Sequence, residues 1–325
     1  MSLDDLPILP TTIVGSYPKP KWLNKAFKKL QKGKMTEEEM QPLFEKAILQ
    51  VIEDHKKAGV DIISDGEMRR TEMVEFFAEN IDGFDIYDRV RVWGNVYYRK
   101  PAVIDKVEYV EPMLVDEYKF LRAHTEKAIK VPITGPYTIA DWSFNEHYDK
   151  RRDVILDLAE IIHTEVKNLQ EAGAKFIQID EPALSTHPQD MPLVQEAMEI
   201  VTKNINVKTG IHICYGDFSL IYPAMLDLPV DQIDLEFANS DEKNINLLKD
   251  HNFDKELGYG CIDVHDRKVE SLETVVERIH NAFEITDPKD IYVKPDCGLK
   301  MLSRDIALEK LKVMVEATKQ VRKEL

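Results

Sequence analysis

The chain has 325 residues, a formal net charge of −16, 43% hydrophobic residues and 31% charged residues. So acidic a chain is a poor match to a nucleic-acid backbone, and no apolar run approaches the roughly 18 residues of a membrane span. The N-terminus lacks the basic start and apolar core of a signal peptide, and three cysteines are too few for a disulfide framework. These features predict a cytoplasmic protein of enzyme size, with no nucleic-acid or membrane partner.

The first segment predicts a short strand followed by a basic stretch. The β-branched run from Thr11 to Val14 ends at Gly15-Ser16, which interrupts the strand pattern. Residues 19–34 then contain seven lysines and no acidic residue. Such a run is typical of a solvated helix face, and the alternative is a contact for an acidic substrate tail or a partner protein.

The next segment begins with a helix start signal. Thr36 and Glu39 have the spacing of a capping box, and apolar residues follow at helical intervals as far as Gly59. Residues 60–64 form an apolar run that is typical of a buried strand, and the turn Asp65-Gly66-Glu67 follows it. The sequence therefore predicts a helix, a strand and an acidic turn in succession.

Residues 84–110 have a different pattern. Valines alternate with polar residues around Gly94-Asn95, as expected for a β-hairpin. The alternation of helices and strands resumes after this segment, so we expect the hairpin to be an insertion.

The remainder of the chain alternates between helical and extended patterns. Helices are predicted near residues 71–80, 113–129, 150–172, 191–204, 217–228, 241–251, 271–284 and 303–323. Strands are predicted at residues 131–134, 175–179, 210–214, 230–236, 257–262 and 291–297. With the two N-terminal strands this gives eight candidates, and eight parallel strands alternating with helices close into a barrel. The prediction is an α/β fold: one (β/α)8 TIM-barrel domain over residues 1–325, with the hairpin inserted between strands 2 and 3.

Chemically versatile side chains recur where the predicted strands end. They are Ser16, Glu67, Thr134, Asp180, His212, Cys214, Glu236, His265 and Cys297. The carboxyl ends of barrel strands surround one opening, where active sites of this fold are built. We therefore expect these residues to be neighbours, although a set of unrelated polar strand ends would give the same list.

One pair among them suggests a metal. His212 and Cys214 are separated by one residue, so in an extended strand both side chains leave the same face. Alone the pair is a weak signal, because buried cysteine and histidine are common in protein cores. Glu236 and Cys297 end two further apolar runs. One nitrogen, two sulfurs and one carboxylate oxygen match a tetrahedral zinc set.

Motifs along the whole chain resemble, in the same order, the catalytic half of cobalamin-independent methionine synthase. They are Asp65-Gly66-Glu67, Thr134-Gly135-Pro136, Ile177-Gln178-Ile179-Asp180-Glu181, His212-Ile213-Cys214-Tyr215, Glu236-Phe237-Ala238-Asn239, Asp263-Val264-His265 and Pro295-Asp296-Cys297-Gly298-Leu299-Lys300. The likeness runs from about Thr11 to the C-terminus. It implies a homocysteine S-methyltransferase that forms methionine.

The resemblance implies a Zn²⁺ ion held by His212, Cys214, Glu236 and Cys297. Zinc would keep the homocysteine sulfur as a thiolate, which attacks a methyl group far better than a thiol does. The carboxylate of Glu236 is a hard oxygen ligand and the most weakly held of the four, so we expect the entering thiol to displace it.

The resemblance also assigns residues to the substrate. Glu67 and Asp180 are expected to receive the α-ammonium group of homocysteine, and the backbone of Gly15-Ser16 its carboxylate. His265, oriented by Asp263, is expected to protonate the leaving group, because imidazole titrates near neutral pH.

The methyl donor is less clearly indicated. Trp142 could stack on a pterin ring, although an indole packed at the barrel rim is the alternative. Long members of the family carry a second barrel that helps to bind methyltetrahydrofolate, and about ten residues precede the first strand here. The donor is therefore expected to be 5-methyltetrahydropteroyl-glutamate, with a separate subunit supplying the missing half, or a methyl-corrinoid protein.

Four other interpretations stay open. The chain could alkylate another thiol such as coenzyme M, or be a zinc-stabilised subunit without turnover. A metal-free barrel of the porphyrinogen-decarboxylase type is disfavoured by the two strand-end cysteines. Glycoside hydrolysis by paired carboxylates such as Asp180-Glu181 is disfavoured by the nearby thiol ligands.

Overall fold

The computed structural model describes residues 2–93, 96–239, 243–249 and 253–325. The helices are α1 (Lys21–Leu30), α2 (Glu37–Ala58), α3 (Met73–Glu79), α4 (Val115–Ala123), α5 (Pro136–Asp141), α6 (Arg151–Glu171), α7 (Met191–Thr202), α8 (Lys243–Lys249), α9 (Leu272–Ala282) and α10 (Arg304–Arg322). The strands are β1 (Ile62–Ile63), β2 (Ile81–Trp93), β3 (Val96–Tyr109), β4 (Ala128–Ile129), β5 (Val131–Thr134), β6 (Phe144–Asn145), β7 (Phe176–Asp180), β8 (Lys208–His212), β9 (Gln232–Glu236), β10 (Glu256–Ile262) and β11 (Ile291–Pro295). This alternation, with mostly parallel strand pairing, confirms the α/β class.

The chain divides into two compact units. The first comprises Met1–Arg69, Glu117–Val131 and Gln232–Leu325, and the second comprises Arg70–Asp116 and Pro132–Asp231. Closure into an eight-stranded barrel and the single-domain organisation stay predictions. Within the described residues, no helix combines the length and the apolar character that crossing a membrane requires.

In the first unit, β10 pairs in parallel with both β9 and β11, and β1 pairs in parallel with β4. The predicted strand at residues 11–14 is reduced to a single bridge between Thr11 and Val293. The reason is that Thr11 directs its carbonyl oxygen to the amides of Asp61 and Ile62, while the Thr12 amide bonds to Val293. The backbone therefore joins β11 to the segment before β1 without extending as a strand.

Helix α2 begins and ends as its sequence predicts. The Thr36 hydroxyl accepts a hydrogen bond from the Glu39 amide at 3.2 Å, and the Glu39 carboxylate accepts one from the Thr36 amide at 2.9 Å. An N-cap of this kind contributes about 1 kcal/mol to helix stability. Gly59 ends the helix with φ = 83°, a left-handed conformation that favours glycine. The buried face of α2 carries Met40 and Phe44 into the core.

In the second unit, β7 and β8 pair in parallel, with Asp180 opposite His212. The Gly135 amide bonds to the Asp180 carbonyl at 2.9 Å, so the end of β5 lies beside the end of β7. The carboxyl ends of these three strands therefore meet on one side of the second unit.

The inserted hairpin is confirmed. Strands β2 and β3 pair antiparallel, from Ile81 opposite Tyr109 at the base to Trp93 opposite Val96. The predicted turn at Gly94-Asn95 lies outside the described residues. Arg99 of the hairpin donates a hydrogen bond to Glu75 of α3 at 2.9 Å, which attaches the hairpin to that helix.

Two further predictions are wrong in detail. The predicted helix at 217–228 is replaced by two short 3₁₀ turns, Phe218–Leu220 and Ala224–Asp227, since Pro223 between them has no amide to donate. The strand predicted to reach Cys214 ends at His212. Helix α5 was not predicted. For the predicted helix at 241–251, residues 241, 242, 250 and 251 lie outside the described residues.

Candidate metal and substrate site

The second unit places a histidine and a thiol together at the carboxyl end of β8. His212 is the last residue of the strand and is 2% exposed. Within the part of the chain that the structure describes, neither nitrogen of its ring has a hydrogen-bond partner. Buried polar atoms are rarely left in this condition, so the ring is suited to a ligand. The ligand atoms of His212 and Cys214 lie within 4.8 Å of one another, and the two could share one cation.

The thiol is held by a turn rather than by an extended strand. Tyr215 and Gly216 have positive φ angles of 54° and 132°, so the chain reverses immediately after Cys214. The Ser185 hydroxyl donates hydrogen bonds to the carbonyls of Cys214, at 3.0 Å, and Tyr215. A side chain at Gly216 would collide with Ser185, because an ideal Cβ would lie 2.8 Å from the Ser185 Cβ. Sequence reasoning missed Ser185, since no motif around it indicates this contact.

The neighbouring carboxylates at the end of β7 have different surroundings. Asp180 is 7% exposed and accepts a hydrogen bond from Gln178 Nε2 at 2.6 Å. Glu181 is fully buried and accepts hydrogen bonds from the amides of Tyr137 (3.0 Å) and Thr138 (2.7 Å). Burial raises the pKa of Glu181 to about 7, while its bonds to Thr138 and Tyr137 oppose that shift. Glu181 therefore caps the start of α5.

Trp142 lies directly after α5. It is the C-cap residue of this helix, and its amide bonds to the Thr138 carbonyl at 3.0 Å. The side chain is half-buried. Glu181 caps the start of α5 and Trp142 lies at its end, so this short helix determines the position of the Trp142 backbone.

The first unit carries the other two predicted metal ligands. Glu236 is the last residue of β9, is 5% exposed, and accepts a hydrogen bond at its Oε2 from the side-chain Nδ2 of Asn239 at 3.4 Å. Cys297 lies two residues beyond β11 and is half-buried. Glu236 therefore lies at the carboxyl end of one strand, and Cys297 lies just beyond the carboxyl end of another strand in the same parallel sheet.

The predicted carboxylate-binding backbone and the Glu67 turn are tied together. The Ser64 hydroxyl donates to the Gly15 carbonyl at 3.0 Å and accepts from the Gly66 amide at 3.1 Å. The Tyr17 amide donates to the Gly66 carbonyl at 3.0 Å. Glu67 has φ = 56°, a conformation that is uncommon outside glycine and often marks functional sites.

The same backbone also touches the Cys297 segment. The Leu299 amide donates to the Ser16 carbonyl at 2.8 Å, and a Cβ on Gly298 would overlap the Ser16 hydroxyl. Glycine at 298 is therefore needed for this close approach. Of the residues predicted in the first unit, the structure brings Gly15, Ser16 and Cys297 into one connected region.

Asp263 and His265 follow β10. The Asp263 carboxylate accepts a hydrogen bond from the backbone amide of His265 at 2.7 Å, and the Asp263 amide donates to Glu270 at 2.8 Å. His265 is exposed. The contact between the two residues therefore fixes the backbone of the turn that presents the imidazole to solvent.

These features define an α/β enzyme with a buried histidine and thiol beyond a strand end, suited to a metal ion. Residues 9–320 match the family described as "Cobalamin-independent synthase, Catalytic domain", so the chain belongs to that family. As the resemblance implied, it is an enzyme of the methyltransferase class that serves methionine synthesis.

Individual relatives agree with this assignment. Methionine synthase of Saccharolobus solfataricus is 52% identical, with 99% of this chain and 98% of that protein covered. Methionine synthase of Sulfurisphaera tokodaii is 50% identical, with 99% and 95% covered. A solved B12-independent methionine synthase from Shewanella sp. W3-18-1, in complex with selenomethionine, superimposes with a TM-score of 0.88 at 28% identity. That comparison covers 98% of this chain and 99% of the Shewanella protein.

Proposed function

We propose that the chain transfers a methyl group to the sulfur of homocysteine, giving methionine. The proposed reaction depends on a metal ion. That ion is Zn²⁺, with His212, Cys214, Glu236 and Cys297 as its ligands. The observation that carries the proposal is the buried imidazole of His212, whose two nitrogens have no partner in the described chain, beside the Cys214 thiol. Membership of the family and the names of its relatives support the reaction.

The donor set fits zinc on chemical grounds. Thiolate sulfur and imidazole nitrogen are preferred zinc ligands, and a carboxylate oxygen is the most readily exchanged member of the set. Bound there, zinc would supply a Lewis acid that keeps an alkyl thiol deprotonated at neutral pH. His212 and Cys214 hold their positions through β8 and the Ser185 turn, so the protein orients these ligands in advance.

The amino-acid end of homocysteine needs both signs of charge to be matched. Glu67 and Asp180 are proposed to bind the α-ammonium group, and the Gly15-Ser16 backbone the carboxylate. Asp180 is buried and its orientation is held by Gln178, which suits a fixed anchor. The Shewanella protein is in complex with selenomethionine, an amino acid of the same kind as the proposed product, which supports an amino-acid acceptor for this chain.

The transfer balances when one electron pair moves to the donor and, for a folate donor, one proton follows. The sulfur anion forms a bond to the methyl carbon while the bond from that carbon to the donor breaks, and the electron pair leaves with the donor. A folate donor leaves as a nitrogen anion that needs a proton, and His265 is proposed to supply it. Its exposure lets it recover that proton from water.

Three sources of the methyl group follow from the sequence. They are 5-methyltetrahydropteroyl-glutamate bound by this chain, with Trp142 against the pterin; the same donor presented by a separate subunit; and a methyl-corrinoid protein. A corrinoid would keep the electron pair on cobalt and would not need His265 as an acid. The His265→Gln variant therefore distinguishes the donors, since it should slow transfer from folate and leave transfer from a corrinoid unchanged.

The deciding experiment is methionine formation by the zinc-loaded chain, with homocysteine or coenzyme M as acceptor and each donor in turn. Glu67→Gln should raise the KM for homocysteine at least tenfold, since it removes a charge that pairs with the ammonium group. Glu45→Gln, an exposed position on α2, is the matched control and should change nothing. Transfer to coenzyme M with no preference for homocysteine, or the absence of methionine with every donor, would refute the proposal.

A further inference from the structure

Asp296 is a buried carboxylate in the first unit that the reaction above does not use. It is 0% exposed, directly follows β11 and precedes Cys297. Its Oδ1 accepts hydrogen bonds from the amides of Phe237 and Ala238, both at 3.0 Å, and its Oδ2 accepts one from the Asn239 amide at 3.1 Å. One carboxylate therefore binds the three consecutive amides that follow Glu236.

The space around this carboxylate is closed. A Cβ on Gly260 would overlap Asp296 Oδ1, so the strand between β9 and β11 has glycine where the carboxylate crosses it. The ammonium group of Lys294, itself fully buried, donates to the Leu235 carbonyl at 3.2 Å and to the Asp296 carbonyl at 3.5 Å.

The segment held by Asp296 also reaches Glu236 itself. The Asn239 side chain lies 3.4 Å from Glu236 Oε2, and the Asn244 side chain donates to the Glu236 carbonyl at 3.1 Å. Arg278 donates to the Ala238 carbonyl at 3.3 Å. The segment 237–239 is thus held through its amides by Asp296 and through the Ala238 carbonyl by Arg278. Its position determines the position of the adjacent Glu236 backbone, from which the carboxylate side chain extends.

We propose that Asp296 is a positioning residue that fixes Glu236 relative to Cys297 before any metal binds. The proposal rests on the zinc site described under the proposed function. Asp296 directly precedes Cys297 in the chain, and it is hydrogen-bonded to the three residues that follow Glu236. It therefore links two strand ends that are distant in sequence. Ligands held at the correct separation lose less freedom when the ion binds, and groups that orient metal ligands often change metal affinity by about 10- to 100-fold.

The test compares Asp296→Asn with the wild-type chain in two measurements. The first is zinc affinity, by competition with a chelating indicator; the second is hydrogen exchange of residues 237–239 in the metal-free protein. An asparagine offers one acceptor oxygen and a competing donor, so we expect about 10- to 100-fold weaker zinc binding and faster exchange at these amides. The exchange result needs no metal and no activity.

Asp61→Asn is the matched control. Asp61 Oδ2 accepts hydrogen bonds from the Thr11 amide and hydroxyl, at 2.9 and 2.8 Å, but it precedes β1 rather than following a strand. This variant should lose stability and keep the zinc affinity. Gly260→Ala is a second variant. Its added Cβ would collide with the Asp296 carboxylate and with the backbone at Asp296 and Leu235 while the charge of Asp296 is kept, and it should weaken zinc binding in the same direction.

The outcomes separate the two proposals. Wild-type chain that binds no stoichiometric zinc would refute the proposed function. Wild-type zinc affinity in both Asp296→Asn and Gly260→Ala, in protein with wild-type circular dichroism, would overturn the inference alone. If Asp296→Asn does not fold, the affinity and exchange of Gly260→Ala decide the question.

Discussion

His55 allows a quantitative test of how burial controls a charge in this protein. It lies on α2, is fully buried, and within the described chain neither ring nitrogen has a hydrogen-bond partner. Its ring packs edge-on against Tyr17, with the centroids 5.2 Å apart. Burial lowers the pKa of His55 from 6.5 to about 4, and the adjacent Asp54 opposes this only in part. The residue is thus a histidine that the folded chain keeps neutral.

The consequence for stability has a definite sign. Above pH 6.5 the imidazole is neutral in both the folded and the unfolded chain, so it adds no pH dependence. Between pH 6.5 and 4 the unfolded chain takes up the proton and the folded chain does not, and stability is lost as the pH falls. A difference of about 2.5 pKa units corresponds to about 3 kcal/mol in total, of which about 2 kcal/mol is lost by pH 5.

The perturbation is His55→Leu, which replaces the imidazole with an apolar side chain of similar size that cannot take up a proton. Urea unfolding of metal-free protein at pH 7.5 and pH 5 gives the free energy of unfolding of each chain. We expect the wild type to lose about 2 kcal/mol more than the variant between these values. Other titrating groups act in both chains and cancel in the difference. Parallel profiles for the two chains would refute the reasoning.

Three further predictions follow from the second unit. Ser185→Ala removes the hydrogen bond to the Cys214 carbonyl. It should lower the free energy of unfolding in urea by about 1 kcal/mol and weaken zinc binding. Unchanged zinc affinity would contradict a role for that turn. Gly135→Ala places a Cβ on the Glu181 carboxylate and should destabilise by about 1–3 kcal/mol, which denaturant midpoints would reveal and a wild-type midpoint would exclude. Dialysis against a chelator should abolish methionine formation, and added zinc should restore it. His212→Ala should lower the bound zinc measured by elemental analysis. Full zinc content in that variant would remove His212 from the ligand set.

Local patterns predicted much of the fold. The capping box of α2, strand β5 at residues 131–134 and the inserted hairpin each depend on residues close together in sequence, so their side chains alone specify them. The predicted helix at 217–228 failed because its apolar spacing looked helical while Pro223 prevents a continuous helix. Helix α5 escaped prediction because its six residues are too few to show a period.

The sequence by itself determined the chemical types at the site: a histidine, thiols and carboxylates placed where apolar runs end, in an order that resembles one family. Tertiary structure alone decided how these groups are held. Glu181 is bound to the start of α5 more than 40 residues earlier, Asp296 binds amides nearly 60 residues earlier, and Ser185 holds the Cys214 turn. The physical reason is that hydrogen bonds between distant segments leave no period or spacing in the chain, and they exist only once the strands have brought those segments together.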